Sequence, residues 1–267
     1  MPAFETVAVR LGLLAVAAFA GVQAAEAAQR HGRDLSPTSR VLPWTGGERL
    51  GVALSADVRY VQGPAAKVVI SGPRDEIDDI VVDHGFLRHD DRHAFWRWWR
   101  WNFDDRHVHI VVTAPRITSA GVSGAGRLDL GRLNQDRLDI GVSGAGYAAA
   151  SGAIRQLHAG VSGSGGVRLT QVAAEATDAW ISGSGWVAAD GASRELHLTI
   201  SGSGHADLGR LAVQDVRAVL SGSGVANVAP QQSADVTVSG AGGVRLAREP
   251  ARLNINRSGA GWVVHDG

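Results

Sequence analysis

From about residue 117 onward the chain alternates apolar and polar positions in short runs, and the runs repeat. Each is anchored by the tetrapeptide Ser-Gly-Ser/Ala-Gly, beginning at Ser123, Ser143, Ser162, Ser182, Ser201, Ser221, Ser239 and Ser258, with spacings of 20, 19, 20, 19, 20, 18 and 19. Counted back from the first Ser, the positions five, three and one before it read Leu138, Ile140, Val142 in one copy and Leu196, Leu198, Ile200 in another. Strict period-2 alternation marks a strand with one buried face. The glycines interrupt it, and it resumes five and seven residues after the Ser, as Leu128/Leu130, Val167/Leu169 and Ala226/Val228. A third apolar point follows about ten residues after the Ser, at Leu133, Val172, Ala192 and Leu211.

Each repeat therefore predicts two short strands, a Gly-rich corner and a short third edge that returns to the start. No stretch within a repeat has helical periodicity, which excludes βαβ units and helix-bearing horseshoes. A coil of 19–20 residues stacked on copies of itself is an all-β, single-stranded parallel β-helix, a solenoid. With coils ~4.8 Å apart the repeats stack to roughly 35–40 Å. The recurring glycines are read as backbone devices at a sharp corner rather than as a row of nucleophilic or ligand-holding serines.

The outward positions four residues before each Ser read Ser119, Asp139, His158, Asp178, His197, Arg217, Asp235, Asn254. Stacking sets these side chains over one another, and no two acids are adjacent, as a ladder of attractive or neutral pairs requires. The last repeat places Arg257 where its predecessors have Val or Leu, which suits a coil at an open end.

Upstream of the repeats, residues 1–27 read as a signal peptide: Arg10, an apolar run over 11–20, and an Ala25-Glu26-Ala27 cleavage site, with Val22-Gln23-Ala24 as a second option. The run is too short to span a bilayer, so no transmembrane segment is expected after cleavage. Residues 28–42 are polar and read as a flexible lead-in. Strands are expected over 50–54, 58–61, 67–70, 77–82 and 107–112, as opening turns of the same β-helix within a domain spanning 43–267.

Between the last two lies an unusual stretch. Asp90-Asp91-Arg92-His93 returns as Asp104-Asp105-Arg106-His107 around an aromatic centre. Folded antiparallel, Asp90 faces His107, Asp91 faces Arg106, Arg92 faces Asp105 and His93 faces Asp104, which favours a protruding Trp-rich hairpin. The same residues, with His89 and His109, are metal-ligand types, but charge pairing satisfies them without a metal. At the tip, Trp96, Arg97, Trp98, Trp99, Arg100 and Trp101 form the candidate binding site, since exposed tryptophans and arginines suit a sugar, a lipid surface or a protein partner.

Composition removes several alternatives. Of 267 residues, 26 are Lys or Arg and 26 are Asp or Glu, so the net charge is zero and a nucleic-acid partner is not expected. Without Cys there are no disulfides and no thiolate metal sites. The Gly-rich turns open no helix and carry no following Lys, unlike phosphate loops. Six residues after each Ser no recurring Asp provides a calcium ladder. No cofactor, metal or catalytic residue is expected.

Val58-Arg59-Tyr60-Val61-Gln62-Gly63, then Val68-Val69-Ile70-Ser71-Gly72, then 108–115 and the serial Ser-Gly-Ser/Ala-Gly turns resemble the bacterial family known as the "putative autotransporter adhesin head GIN domain". The resemblance covers roughly residues 44–267. It implies a right-handed parallel β-helix at the bacterial envelope, and supplies no catalytic residue. The reading is an exported, non-enzymatic interaction or structural module of the cell envelope. It would be periplasmic, secreted or surface-bound, with an envelope polysaccharide, lipid surface or protein as partner. The alternative is a β-helix that binds or processes polysaccharide.

Overall fold

The structure is a computed structural model that describes residues 37–90 and 108–265. The repeats form a parallel β-solenoid. Its strands β8 (Ser119–Gly124), β9 (Arg127–Gly144), β10 (Tyr147–Gly163), β11 (Gly166–Gly183), β12 (Trp186–Gly202), β13 (His205–Gly222) and β14 (Val225–Gly240) stack in sequence order. The final turns are β15 (Gly243–Leu246), β16 (Arg252–Ser258) and β17 (Trp262–His265). Equivalent residues meet in register, so Ser123, Ser143, Ser162, Ser182, Ser201, Ser221, Ser239 and Ser258 form one column.

Each coil is one long bent strand rather than three separate ones. From β9 to β14 the chain breaks only at the Ser-Gly-Ser/Ala-Gly corner, where Gly144 has φ 113° and an added Cβ would lie 2.8 Å from the Gly124 carbonyl oxygen of the coil below. A side chain has neither the conformation nor the room there. The second corner is absorbed as a bulge inside the strand, with register shifts between Ser151 and Ala153 and between Leu169 and Val172. Gly152 (φ 107°) supplies the bend in one coil. In the next, Gln171 bends at φ 52° with its amide donating to the Asp190 carboxylate at 2.7 Å.

The predicted inward columns form one continuous core. Leu138, Leu157, Leu196, Val216 and Ala234 stack at 3 % exposure or less. Each buried Leu or Val of the column contributes about 1.5–3 kcal/mol. The coil between 157 and 196 puts Thr177 in this column. Its buried hydroxyl is hydrogen-bonded to Ser193 Oγ at 3.0 Å, which in turn donates to the Glu195 carbonyl, so the polar group is satisfied.

The amino-terminal part departs from the expected run of coils. β2 (Arg49–Val52) and β3 (Asp57–Gln62) do stack parallel on β8 and β9, and β7 (His109–Ala114) stacks parallel on β3. β4 (Lys67–Pro73), however, runs antiparallel to β7, and β5 (Ile80–Asp83) runs antiparallel to β6 (Phe86–His89). Residues 37–42, read as part of a flexible lead-in, lie in β1 (Pro37–Pro43), antiparallel to β4. The sequence of β1 carries no apolar alternation, although Thr38, Arg40 and Leu42 are half-buried and Ser39, Val41 and Pro43 exposed; it is an edge strand, held by β4's backbone and by Arg40. That guanidinium donates to the carbonyls of Ile77 (3.3 Å), Asp78 (2.9 Å) and Ile80 (3.1 Å), clamping the helical turn α1 (Arg74–Ile77) and the start of β5. Ile70, Ile77, Ile80 and Leu87 are fully buried beneath this layer. Tyr60 locks β3 to β7 by donating its hydroxyl to the Ala114 carbonyl at 2.9 Å, and burial pushes its phenol above the ordinary pKa. Among the described residues no helix is long and apolar enough to cross a membrane.

Candidate functional site

The predicted tip, Trp96, Arg97, Trp98, Trp99, Arg100 and Trp101, lies outside the described residues, as do the proposed cross-strand pairings of 91–107. The described chain reaches that stretch from β6 at Asp90, whose amide donates to the Asp79 carbonyl at 2.7 Å, and leaves it at Val108 ahead of β7.

The −4 column is ordered as predicted. His158 Nδ1 lies 3.0 Å from one Asp178 oxygen and His197 Nδ1 lies 3.3 Å from the other. Asn254 donates to Asp235 at 3.2 Å, and Arg137 makes a two-pronged contact with Asp139 at 2.9 and 3.0 Å, which raises the Arg137 pKa. The serine column is exposed, and within it each hydroxyl's neighbours are other serines. The histidines sit four residues away along the same strands, ~13 Å at 3.3 Å per residue, too far to take a serine's proton. The row can form hydrogen bonds, but it is not a set of activated nucleophiles. Among the described residues no group of three His, Asp or Glu is placed to hold a metal ion.

A site that the sequence reading missed lies between these two columns, at the position two before each Ser. The registers align Phe86, Gly51, Gly121, Gly141, Gly160 and Trp180 across β6, β2, β8, β9, β10 and β11. Both aromatic rings lean inward along the column. Trp180 covers Gly160, with three indole atoms within 2.5 Å of where a Cβ would stand, and Phe86 covers Gly51 at 2.3 Å. Gly121 and Gly141 differ: an added Cβ would meet nothing nearer than 3.7 and 3.9 Å, and neither has a positive φ. They clear the floor of an outward-facing trough of about 790 Å³. Its walls carry Ser123, Ser143 and Ser162 on one side, and Glu48, Arg49, Thr118, Ser119 and Asp139 on the other.

Local sequence explains the placement of Phe86. His84 (φ 47°) and Gly85 (φ 87°) form a two-residue turn with both φ values positive, the geometry that matches the twist of a tight hairpin. Across this turn Arg88 donates to the Asp83 carboxylate at 2.9 Å. The hairpin packs so closely on β2 that a Cβ on Gly85 would lie 2.4 Å from the Arg49 carbonyl oxygen. Phe86 is thereby presented at 52 % exposure, and Trp180 stands at 46 %.

A second aromatic column, four residues after each Ser, shows what ordinary packing looks like on this fold. There Arg127 lies 4.7 Å over the Tyr147 ring, Trp186 fills the space above Gly166, its ring 5.9 Å from that of Tyr147, and Arg168 lies 5.3 Å over Trp186. That column is closed. The Phe86–Trp180 column is left open in its middle.

Similar folds occur in solved structures. A "putative lipid binding protein" from Parabacteroides distasonis ATCC 8503 matches with a TM-score of 0.77 at 17 % identity, over 87 % of this chain and 97 % of that one. A "putative adhesin" from Parabacteroides merdae ATCC 43184 matches with a TM-score of 0.73 at 16 % identity, over 88 % and 98 %. A "putative adhesin" from Bacteroides fragilis NCTC 9343 gives 0.62 at 20 %, over 86 % and 97 %. No curated protein matches the sequence. The sequence profile of one family covers residues 48–250, and with the solenoid and its serial corners in view the chain belongs to that family, "Putative auto-transporter adhesin, head GIN domain".

Proposed function

We propose that this chain is an exported, non-enzymatic interaction module of the bacterial envelope, which holds an envelope component against the outer face of its solenoid. The observation that carries this reading is the open trough, where the fold holds two large rings out to solvent around a floor without side chains. Exposed apolar rings grouped about a groove mark contact surfaces. Membership of an adhesin-head family supports the reading. So does the leader-like segment over 1–27, and the neighbours described as adhesins and as a lipid binding protein suit a surface that grips envelope material. The Trp96–Trp101 segment, with Arg97 and Arg100, is proposed as a second contact, entered from the same β6 strand that carries Phe86.

The test has two arms. Expression of the full chain in a bacterial host is expected to deliver a processed protein, shortened near residue 27, outside the cytoplasm. The processed protein is then spun with anionic liposomes, peptidoglycan or outer-membrane polysaccharide, and is expected to pellet with one of them. A protein that stays unprocessed in the cytoplasm, or that pellets with none, overturns the proposal.

A further inference from the structure

We propose that the trough between Phe86 and Trp180 is a glycan site that takes a short, uncharged stretch of pyranose chain along its floor. The inference rests on the reading above, that the outer face grips envelope material, and names the ligand class.

The chemistry of the lining selects this ligand. An aromatic ring is electron-rich on its face, and the C–H face of a pyranose is apolar and weakly positive, so the two stack, while hydroxyls at the sugar rim need polar partners beside the platform. Here the platforms are Phe86 and Trp180, and the polar partners are the Ser123, Ser143 and Ser162 hydroxyls on one wall and Glu48, Thr118, Ser119 and Asp139 on the other. The covered glycines, Gly51 and Gly160, are three coil steps apart, ~14 Å. That span suits a short oligosaccharide lying across the coils with a ring stacked near each end. The open floor at Gly121 and Gly141 is the part that packing does not explain. Those positions need no positive φ and have room for a side chain, yet a side chain there would stand in the path between the two platforms.

Other ligands fit worse. β2, β8, β9 and β10 are each paired on both sides, so the floor has no free edge to accept a peptide strand. The lining carries Glu48 and Asp139 against Arg49, and Asp139 is already paired with Arg137, so the trough has no excess of positive charge for an acidic polymer or a phosphate headgroup. An acyl chain is better served by an enclosed apolar cavity than by a shallow trough walled with hydroxyls and carboxylates.

The experiment is calorimetric titration of the processed protein with cellohexaose and chitohexaose, beside oligogalacturonate and neutral phosphatidylcholine vesicles. Three variants are compared with wild type: Trp180→Ala, Phe86→Ala and Gly141→Val, the last filling the floor at a position where neither ring lies within 4 Å of an added Cβ. Binding of a neutral hexasaccharide is expected, weakened about tenfold or more by each variant, with thermal unfolding of Gly141→Val unchanged. Preference for oligogalacturonate or vesicles, or equal binding by wild type and Gly141→Val, overturns the glycan assignment. The two readings fail separately. If the protein pellets with envelope material and all three variants pellet equally well, only the trough is wrong. If it pellets with nothing, the interaction reading fails with it.

Discussion

At the scale of the residue, glycine does two jobs in this chain that look identical in composition. Gly144 sits at φ 113° against the Gly124 carbonyl, so Gly144→Ala strains the backbone and presses on the coil below. It is expected to cost about 1–3 kcal/mol in urea unfolding. Gly141→Val is expected within about 0.5 kcal/mol of wild type, since the site is open, its φ is ordinary and β-branched residues suit strands. Equal costs for the two would refute the division between corner glycines and floor glycines. The corner glycines were legible because the tetrapeptide recurs as a unit. The floor was recorded too, as Gly121, Gly141, Gly160 and then Trp180 two before successive Ser residues, but it lies in a column that the apolar alternation passes over. Phe86 was not legible at all. It joins that column from outside the repeat, through a hairpin whose packing on β2 is a tertiary fact.

At the scale of the element, the β5–β6 hairpin decides how well Phe86 is held, and Asp83 makes that hold depend on pH. Hydrogen bonds from Arg88 and then His84 keep the Asp83 carboxyl below the usual carboxylate value. A lowered folded-state pKa means that the contribution is present above the ordinary carboxylate value and is lost as pH falls through the lower folded value. Amide exchange in β5 and β6 is therefore expected to quicken only in that acid window, with the Asp83 carboxyl titrating there by NMR. Arg88→Gln is expected to move the midpoint back up. An Asp83 midpoint at or above the ordinary value would remove the hairpin's acid sensitivity from the account. Elements inside the solenoid were readable because each buries one face with strict alternation. β4 and β5 were readable as strands but their antiparallel pairing was not, and β1 was missed altogether, since pairing over the amino-terminal end depends on which backbone edges remain free. Arg40 reaching three carbonyls across that end leaves no periodic trace in the sequence.

At the scale of the whole molecule, the two ends of the solenoid are finished differently. The amino-terminal end is covered by β1, β4, α1 and the β5–β6 hairpin, with Trp44, Ile77 and Ile80 buried beneath. Among the described residues the opposite end is formed by β17 and by β16, a strand exposed along its whole length, where Leu253 and Ile255 occupy core columns at 38 and 41 % exposure. An apolar column ending in an edge strand is a template for joining another chain. Arg257 stands next in that row, in register with Val238 of the core, so further stacking would bury an unpaired charge. The charge at Arg257 is therefore expected to oppose further stacking on this strand. Arg257→Val completes the column, and sedimentation velocity of that variant is expected to show concentration-dependent association that Arg257→Lys does not share. Comparison with Trp180→Ala separates the end from the trough, because only the end should change self-association. If Arg257→Val sediments like the parent at every concentration, the charge does not guard the end, and the exposure of Leu253 and Ile255 alone fails to drive stacking.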